Sequence, residues 1–517
     1  MDTGFEQPVP LASDKTDLDS SGYSTPSKAE IQHYEATSEA ASSLSKEHRD
    51  YLLARHGTLD LDPMPDMNDA DPYNWPKSKK VINLLLVAFH AMMSFFTAAS
   101  IQSSFESIAE DFGTTLQRVS YLVSIVIAVL GVAPVFWRPL SERFGRRPVL
   151  ILSLVFSAVG NIGCAVSPSY ATMGLCRAIT AFFISPAAAI GSAVVSETFF
   201  KRERATYIGI WTLMLTLGVP VAPFIFGFVT MRVGYRWTFW ILAITNGVQL
   251  LLYVFLGPES RYIRGQVHSG STFTQEYLRF KRIDPTPMGL ADFLHPFTLF
   301  ARPRVLLPTL AYAMVFCFGA VFPSLEIPQL YVEKFHLNPQ QMGLQYVSII
   351  VGAVVGEQLG GLMSDRWMRA RQSKIGPTTG RVVAPEYRLW LSYGGYLLTI
   401  VGVVVFVVQI DRADSTWNVT PDIGAGIASA GNQIVTTVLI TYAVDCYREE
   451  AASIGVFVTF VRQMWGFLGP FWFPEMIRSA GLLASAGIMT AMIVVVSVLP
   501  TLYLQFWKGN SRVRDSK

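Results

Sequence analysis

The chain has 517 residues, 51% hydrophobic and 13% aromatic but only 15% charged, with a net charge of +3 and a mean hydropathy of +0.36. A soluble domain carries about 25% charged residues, so the deficit points to lipid as the solvent and argues against a nucleic-acid surface built on net charge. The four cysteines, Cys164, Cys176, Cys317 and Cys446, lie in or beside apolar runs without ligand spacing or a paired framework, so neither a metal nor a cofactor is expected.

In chain order, residues 1–70 are rich in Ser, Asp, Glu and Lys and read as a disordered cytoplasmic tail that cannot bury enough surface to order itself. They lack the short apolar stretch and cleavage site of a secretory signal, so the first span is expected to direct membrane insertion. Apolar runs of the ~20 residues that a bilayer demands follow near 81–101, 119–137, 149–167, 171–195, 206–230 and 236–256. A second set falls near 304–325, 343–363, 388–409, 422–444, 452–473 and 482–505. The expected fold is an all-α membrane protein with twelve transmembrane helices in two pseudo-symmetric six-helix bundles, 71–256 and 304–507. Residues 257–303 would form a cytoplasmic central loop and 508–517 a second cytoplasmic tail. Paired halves around a midplane substrate site are a recurrent transporter design.

Lys and Arg in short loops favour the cytoplasmic side. They crowd the loops after the second, fourth, eighth and tenth runs, with Arg138, Arg143, Arg146 and Arg147, then Lys201, Arg202 and Arg204, then Arg366, Arg369, Arg371, Lys374, Arg381 and Arg388, and then Arg448. The alternate loops hold only Arg118, Arg232, Arg236, Lys334, Arg412 and Arg478. Both termini are therefore expected in the cytoplasm. The sequon at Asn418-Val419-Thr420 falls on a loop expected outside, where it can accept a glycan.

The turn after the second run, Arg138-Pro139-Leu140-Ser141-Glu142-Arg143-Phe144-Gly145-Arg146-Arg147, and Gly361-Leu362-Met363-Ser364-Asp365-Arg366 after the eighth stand at equivalent places in the two halves. Both resemble the G-x-L-x-D-R-x-G-R-R loop of the major facilitator superfamily, although Arg138 replaces the first glycine. The resemblance implies a charge network, with Glu142, Arg143, Arg146, Asp365 and Arg366 as a conformational latch. Glu197 with Arg204, and Asp445 with Arg448, stand at matching points after the fourth and tenth spans. Such charges at helix ends bias an alternating-access equilibrium when paired and release it when separated; the plainer reading is topogenic charge. Gly218, Pro220, Pro223 and Gly227 in the fifth run partly match the G-x-x-x-G-P-x-x-G-G motif of proton antiporters, with Ala222 and Phe226 departing from it. Asp71-Pro72-Tyr73-Asn74-Trp75-Pro76 and Pro385-Glu386-Tyr387-Arg388-Leu389 look like the fungal twelve-span drug:proton antiporter-like branch.

Ionisable groups inside spans cost roughly 2.5 kcal/mol or more at the bilayer centre and are functional hypotheses by default. His90, Glu326, Glu357 and Arg462, with the amide Asn432, are the coupling or substrate candidates. Glu357 lies about 12 Å from the cytoplasmic end at helical rise, as a proton carrier, a partner of Arg462 or part of a solvated cavity wall. Glu326, between Pro323 and Pro328, is either a cation-attracting group at a kink or a carboxylate at the water-filled rim. His90 is either a proton site or a packing residue.

No Walker loop or catalytic constellation is present in the sequence, so the chain reads as a carrier and not an enzyme. The leading expectation is proton-coupled efflux of hydrophobic or cationic small molecules by a monomer in the plasma membrane. Alternatives are uptake of a polar nutrient or polyamine-like cation and, remotely, a non-transporting sensor. The expected partners are a small-molecule substrate, protons and the lipid bilayer, with no nucleic acid.

Overall fold

The computed structural model describes residues 44–264, 271–278, 280–375, 384–447 and 450–508. Among these residues, twelve helices are long and apolar enough to cross a membrane. The first six are α1 (Lys77–Asp111), α2 (Leu116–Phe144), α3 (Arg146–Ala165), α4 (Tyr170–Thr198), α5 (Lys201–Val233) and α6 (Arg236–Leu256). The second six are α7 (Pro303–Phe335), α8 (Pro339–Arg371), α9 (Pro385–Arg412), α10 (Thr420–Cys446), α11 (Ala451–Ala480) and α12 (Leu482–Phe506). Each coincides with one of the apolar runs read from the sequence, α3 ending two residues short of the third.

Helix ends follow local chemistry. Thr115 accepts a hydrogen bond from the Arg118 backbone N–H at the start of α2, and Ser169 with Thr172 forms a capping box on α4. Gly145 lies at φ 99° between α2 and α3, a conformation that a side chain would strain. In α7, the chain passes through a π-helical turn at Cys317–Val321, which widens the backbone in front of Pro323 and Pro328.

Lipid is as apolar as leucine, so helices in a bilayer associate through close packing. In the second bundle, α10 lies between α8 and α9. On α8, the glycine row Gly352, Gly356 and Gly360 meets Gly426, Ala430 and Ile434 on α10. A Cβ at Gly356 would stand 2.7 Å from Ala430 Cα. Across α10, Gly395 and Gly402 of α9 oppose Gly431, Gly424 and Ala428.

The expectation that residues 1–70 are wholly unstructured is corrected for 44–70. Lys46–His56 is a helix capped by Ser45 and by Gly57 at φ 71°. Composition gives this segment no core of its own, but polar anchors hold it. Arg55 Nε and one terminal nitrogen donate to the Asn74 carbonyl at 2.9 and 2.7 Å. Asp71, fully buried, binds Arg264 Nε at 3.0 Å. The remainder of the tail, 1–43, lies outside the described residues.

Candidate functional site

The two bundles meet along α2 with α11 and along α5 with α8. At the loop ends away from the arginine-rich turns, Gln117 of α2 donates to the Pro470 carbonyl of α11. Beside it, Tyr121 stacks on Phe471 with centroids 4.7 Å apart. At the same end, Gly227 of α5 and Gly343 of α8 approach so closely that a Cβ on Gly227 would lie 3.0 Å from Gly343 Cα. Gly218 makes the other close approach of α5, against Phe96 N and Phe95 Cβ of α1, at 3.1 and 3.2 Å from a built Cβ. The glycines of the antiporter-like motif are therefore packing positions, with Pro220 and Pro223 between them inside the helix. Phe226, which departs from the motif, packs edge-on against Phe96 at 5.3 Å.

Toward the arginine-rich face, Gly209 of α5 and Gly361 of α8 have open space where a Cβ would begin. On the opposite side of the molecule the seam holds, because Arg138 of α2 donates to Ser453 Oγ of α11 at 3.0 Å. A cavity of about 350 Å³ lies there, lined by Arg138, Glu142, Arg143, Asp292, His295 and Glu450 among others. His295 Nδ1 is 3.2 Å from the same Ser453 oxygen.

The charged ends repeat between halves. In the first half, Arg146 binds Glu197 at 2.8 and 3.3 Å and donates to Ser141 Oγ at 2.6 Å. In the second half, Arg388 binds Asp445 at 3.3 Å and donates to Ser364 Oγ. Ser141 and Ser364 hold the same place in their turns, so each half ties the end of its second helix to its third and fourth through one arginine. Glu197 is joined by Arg261 at 3.7 Å instead of Arg204. Arg204 donates to Tyr73 Oη and to the Ser196 carbonyl, each at 3.2 Å. Glu142 meets Arg138 one turn back at 3.2 Å and is well exposed. Arg143 turns away, to Asp284 at 2.5 Å and Asp292 at 3.4 Å. Arg366 is exposed; the side chain of Asp365 and the whole of Arg448 lie outside the described residues.

Sequence reading missed Glu259, whose carboxylate accepts the backbone N–H of Arg146 at 2.8 Å and of Arg147 at 3.0 Å. An acid before a helix N-terminus is a legible signal, but the 113-residue separation from Arg146 hid this one. Burial pushes the Glu259 carboxyl above the ordinary range against these bonds. Asp284 is lowered to about 2, chiefly by the Thr286 backbone N–H, then by its hydroxyl and by Arg143.

Within the spans, Arg462 of α11 reaches the centre. Its guanidinium lies 5.5 Å from the Phe95 ring of α1 and 4.6 Å from the Phe316 ring of α7. One terminal nitrogen donates to Tyr312 Oη at 2.9 Å, while Nε is buried without an acceptor. Among the described residues no ion pair joins Arg462 to Glu357, which disfavours the alternative that the two form a structural pair. Glu357 Oε2 is buried and also unbonded. Fourteen residues after Gly343, it lies about 40° around α8 from the line that touches α5.

The other candidates are scattered. His90 is fully buried, 3.1 Å from Ser153 Oγ and edge-on to Tyr253 at 6.0 Å, inside the first bundle. Glu326 is 2% exposed, its Oε1 3.4 Å from Gln329 Nε2, so it is not a carboxylate in open contact with water. Asn432 packs by its Cβ against the π-helical turn of α7, 3.2 Å from a Cβ built at Gly319, with Oδ1 unbonded. Asn418 accepts the Thr420 backbone N–H at 3.0 Å in the loop before α10. Arg177, inside the fourth apolar run, was overlooked. It is 1% exposed and donates to the Leu122 and Ala98 carbonyls, both at 2.9 Å.

Residues 84–470 match the family model of the Major Facilitator Superfamily. The chain belongs to the major facilitator superfamily. Its superfamily is one of carriers, not enzymes, and small-molecule transport across a membrane is its function. "Uncharacterized transporter mfc1" of Schizosaccharomyces pombe is 25% identical over 461 residues, covering 84% of this chain and 92% of that protein. "Efflux pump vrtL" of Penicillium aethiopicum is 26% identical, covering 80% and 82%. The "Cycloheximide resistance protein" of Candida maltosa is 24% identical, covering 79% and 78%. These fungal relatives agree with the branch that the superfamily motifs suggested. The xylose transporter XylE from E. coli, in a partially occluded inward open conformation, shares the superfamily fold with a TM-score of 0.61 at 14% identity, covering 84% of this chain and 98% of that one.

Proposed function

We propose that this superfamily member is a proton-coupled exporter of hydrophobic small molecules, acting as a monomer in the plasma membrane with both termini in the cytoplasm. The observation that carries the reading is Glu357: a carboxyl without a bonding partner for Oε2, at the depth of the span, on the side of α8 near its seam with α5. A carboxyl held by no cation is free to change protonation as the seam opens and closes. The paired turns around Arg146 and Arg388 would act as latches at the cytoplasmic face, with residues 257–303 between the bundles on that side. Asn418 would face the outside and accept a glycan. Relatives named for efflux and for cycloheximide resistance support export over uptake.

The test is purified protein in vesicles with an imposed proton gradient and a panel of labelled hydrophobic compounds that includes cycloheximide. Movement of a compound against its gradient, opposite to the proton and abolished by a protonophore, is expected. Movement in the same direction as the proton would replace export with uptake. Transport indifferent to the gradient would remove proton coupling.

A further inference from the structure

We propose that Arg462 is the recognition cation of the transport site and that the substrate it selects carries a carboxylate beside an aromatic or extended apolar body. The inference rests on the transport reading above and narrows it to a substrate class.

The geometry begins with an arginine at the middle of α11, in contact with helices of both bundles. Phe95 belongs to α1, whereas Tyr312 and Phe316 belong to α7. A guanidinium has five N–H donors and no acceptor. Only Tyr312 Oη accepts from this one among the described residues, at 2.9 Å, and Nε is buried without any acceptor. Aromatic faces stabilise a cation through their quadrupole. They are far weaker acceptors for its N–H groups than an oxygen is.

The side chain is therefore held in place by rings but left short of acceptors, and its half-buried state shows that it is not sealed in the packing. A planar carboxylate satisfies such a fork with two parallel bonds, which a neutral amide or an ammonium does not. The same rings that hold the guanidinium supply the walls for an aromatic body. Because Phe95 and Tyr312 come from opposite bundles, an anion bound at Arg462 would touch both halves and its affinity would change as they move, which is what coupling substrate to conformation requires. Glu357 is not bonded to Arg462, so the cation is not neutralised by that carboxylate.

The experiment measures binding of three probes sharing one ring system, 2-naphthoate, 2-naphthamide and 2-naphthylmethylammonium, to the purified protein in nanodiscs. Naphthoate is expected to bind at least tenfold more tightly than either analogue. Arg462→Gln should erase that preference, Arg462→Lys should retain a weakened one, and Tyr312→Phe should leave the preference with a loss of a few-fold in affinity. Should Arg462→Gln fail to yield monodisperse protein, the comparison of the three probes on the wild-type chain still decides. Equal binding of all three, tighter binding of the ammonium, binding of none, or an unchanged preference in a folded Arg462→Gln protein would overturn the proposal. Transport of cationic compounds that naphthoate does not compete with would overturn it too while leaving the transport reading intact. Naphthoate that binds through Arg462 but is never carried in vesicles would leave it standing and count against the transport reading.

Discussion

The Arg146–Glu197 pair permits a stability prediction that separates the two halves. Arg146 is 5% exposed and Glu197 17%, joined by a contact of 2.8 Å, and Ser260 Oγ adds a bond to Glu197 at 3.1 Å. Glu197→Gln keeps the shape and one acceptor but removes the charge, leaving Arg146 short of its partner. Breaking a buried pair costs roughly 3–5 kcal/mol. The retained amide oxygen, the Ser141 acceptor and the residual exposure of Glu197 bring the expectation to about 2–3 kcal/mol. In the second half, Asp445 is 23% exposed and holds Arg388 by a 3.3 Å contact, so Asp445→Asn should cost about 1 kcal/mol. Unfolding in mixed micelles by titration with sodium dodecyl sulfate, followed by tryptophan fluorescence, gives both differences. A Glu197→Gln protein as stable as wild type, or an Asp445→Asn protein less stable than Glu197→Gln, would refute the reasoning.

Glu357→Gln is expected to abolish gradient-driven transport in vesicles while sparing exchange of substrate across the membrane, and undiminished gradient-driven transport would remove Glu357 from the mechanism. Since it has no ion pair with Arg462, neutralising both residues together should restore nothing relative to either change alone. Gly356→Val should destabilise the second bundle by about 1–3 kcal/mol through overpacking, because its Cβ would stand 2.7 Å from Ala430 Cα; a thermal scan on purified protein checks it. Glu142→Gln should change stability by less than about 1 kcal/mol, its pair with Arg138 being partly exposed and only one turn long, while lowering the maximal transport rate more than substrate affinity. Asp284 has a depressed folded pKa, so its contribution is full above the ordinary carboxylate pKa and is lost only as pH falls toward about 2. The protection factors of the amides of residues 283–292, with the pH dependence of intrinsic exchange divided out, should therefore be unchanged between pH 7 and 5, and Asp284→Asn should lower them at both.

Legibility in the sequence tracked the length scale of the interaction. Spans were readable because a bilayer imposes a run length on apolar residues, and the duplicated basic turn was readable because its residues are adjacent in the chain. The partners were not. Glu197 stands at the last turn of α4, a few residues before Arg202 and Arg204, yet it binds Arg146, 51 positions earlier. Asp445 binds Arg388, which sequence spacing offered only as a basic residue at a helix start. Burial also separated residues that look alike in sequence: His90 is turned into the first bundle, while Arg462, with no more conspicuous surroundings in the chain, reaches both. Helical phase counted from α11 alone cannot place a side chain until its neighbours are known. Segment 44–70 is ordered for a related reason, since Arg55 binds the Asn74 carbonyl, Asp62 pairs with Lys201 at 3.0 Å and Leu52 and Leu61 are buried against the rest of the fold, partners that its own composition does not reveal.

The central loop divides by its anchors, and the division bears on how the halves stay coupled. Lys79 of α1 pairs with Glu276 at 2.5 Å, Arg147 of α3 donates to the Tyr277 carbonyl at 2.6 Å, and Arg143 of α2 holds Asp284 at 2.5 Å. All three attach residues 276–284 to the first bundle. From His295 onward the contacts change partner: Phe297 packs on Phe460 and Phe300 on Phe457, with centroids 5.0 and 4.8 Å apart, and Arg302 pairs with Glu450 at 2.6 Å. These attach residues 297–302 to α11 and the second bundle. Asp292 and His295, at the junction, both line the cavity beside Arg138 and Ser453. Asp292 still pairs with Arg143 at 3.4 Å and Phe293 packs on Phe136 of α2, so relative rotation of the bundles falls on the few residues between Phe293 and Phe297. The Arg138–Ser453 bond spans that same junction. Where the superfamily motif places glycine to let helices approach, this chain has a long polar side chain that reaches from one bundle to the other, so the contact there is made by a hydrogen bond that can break without unpacking either bundle.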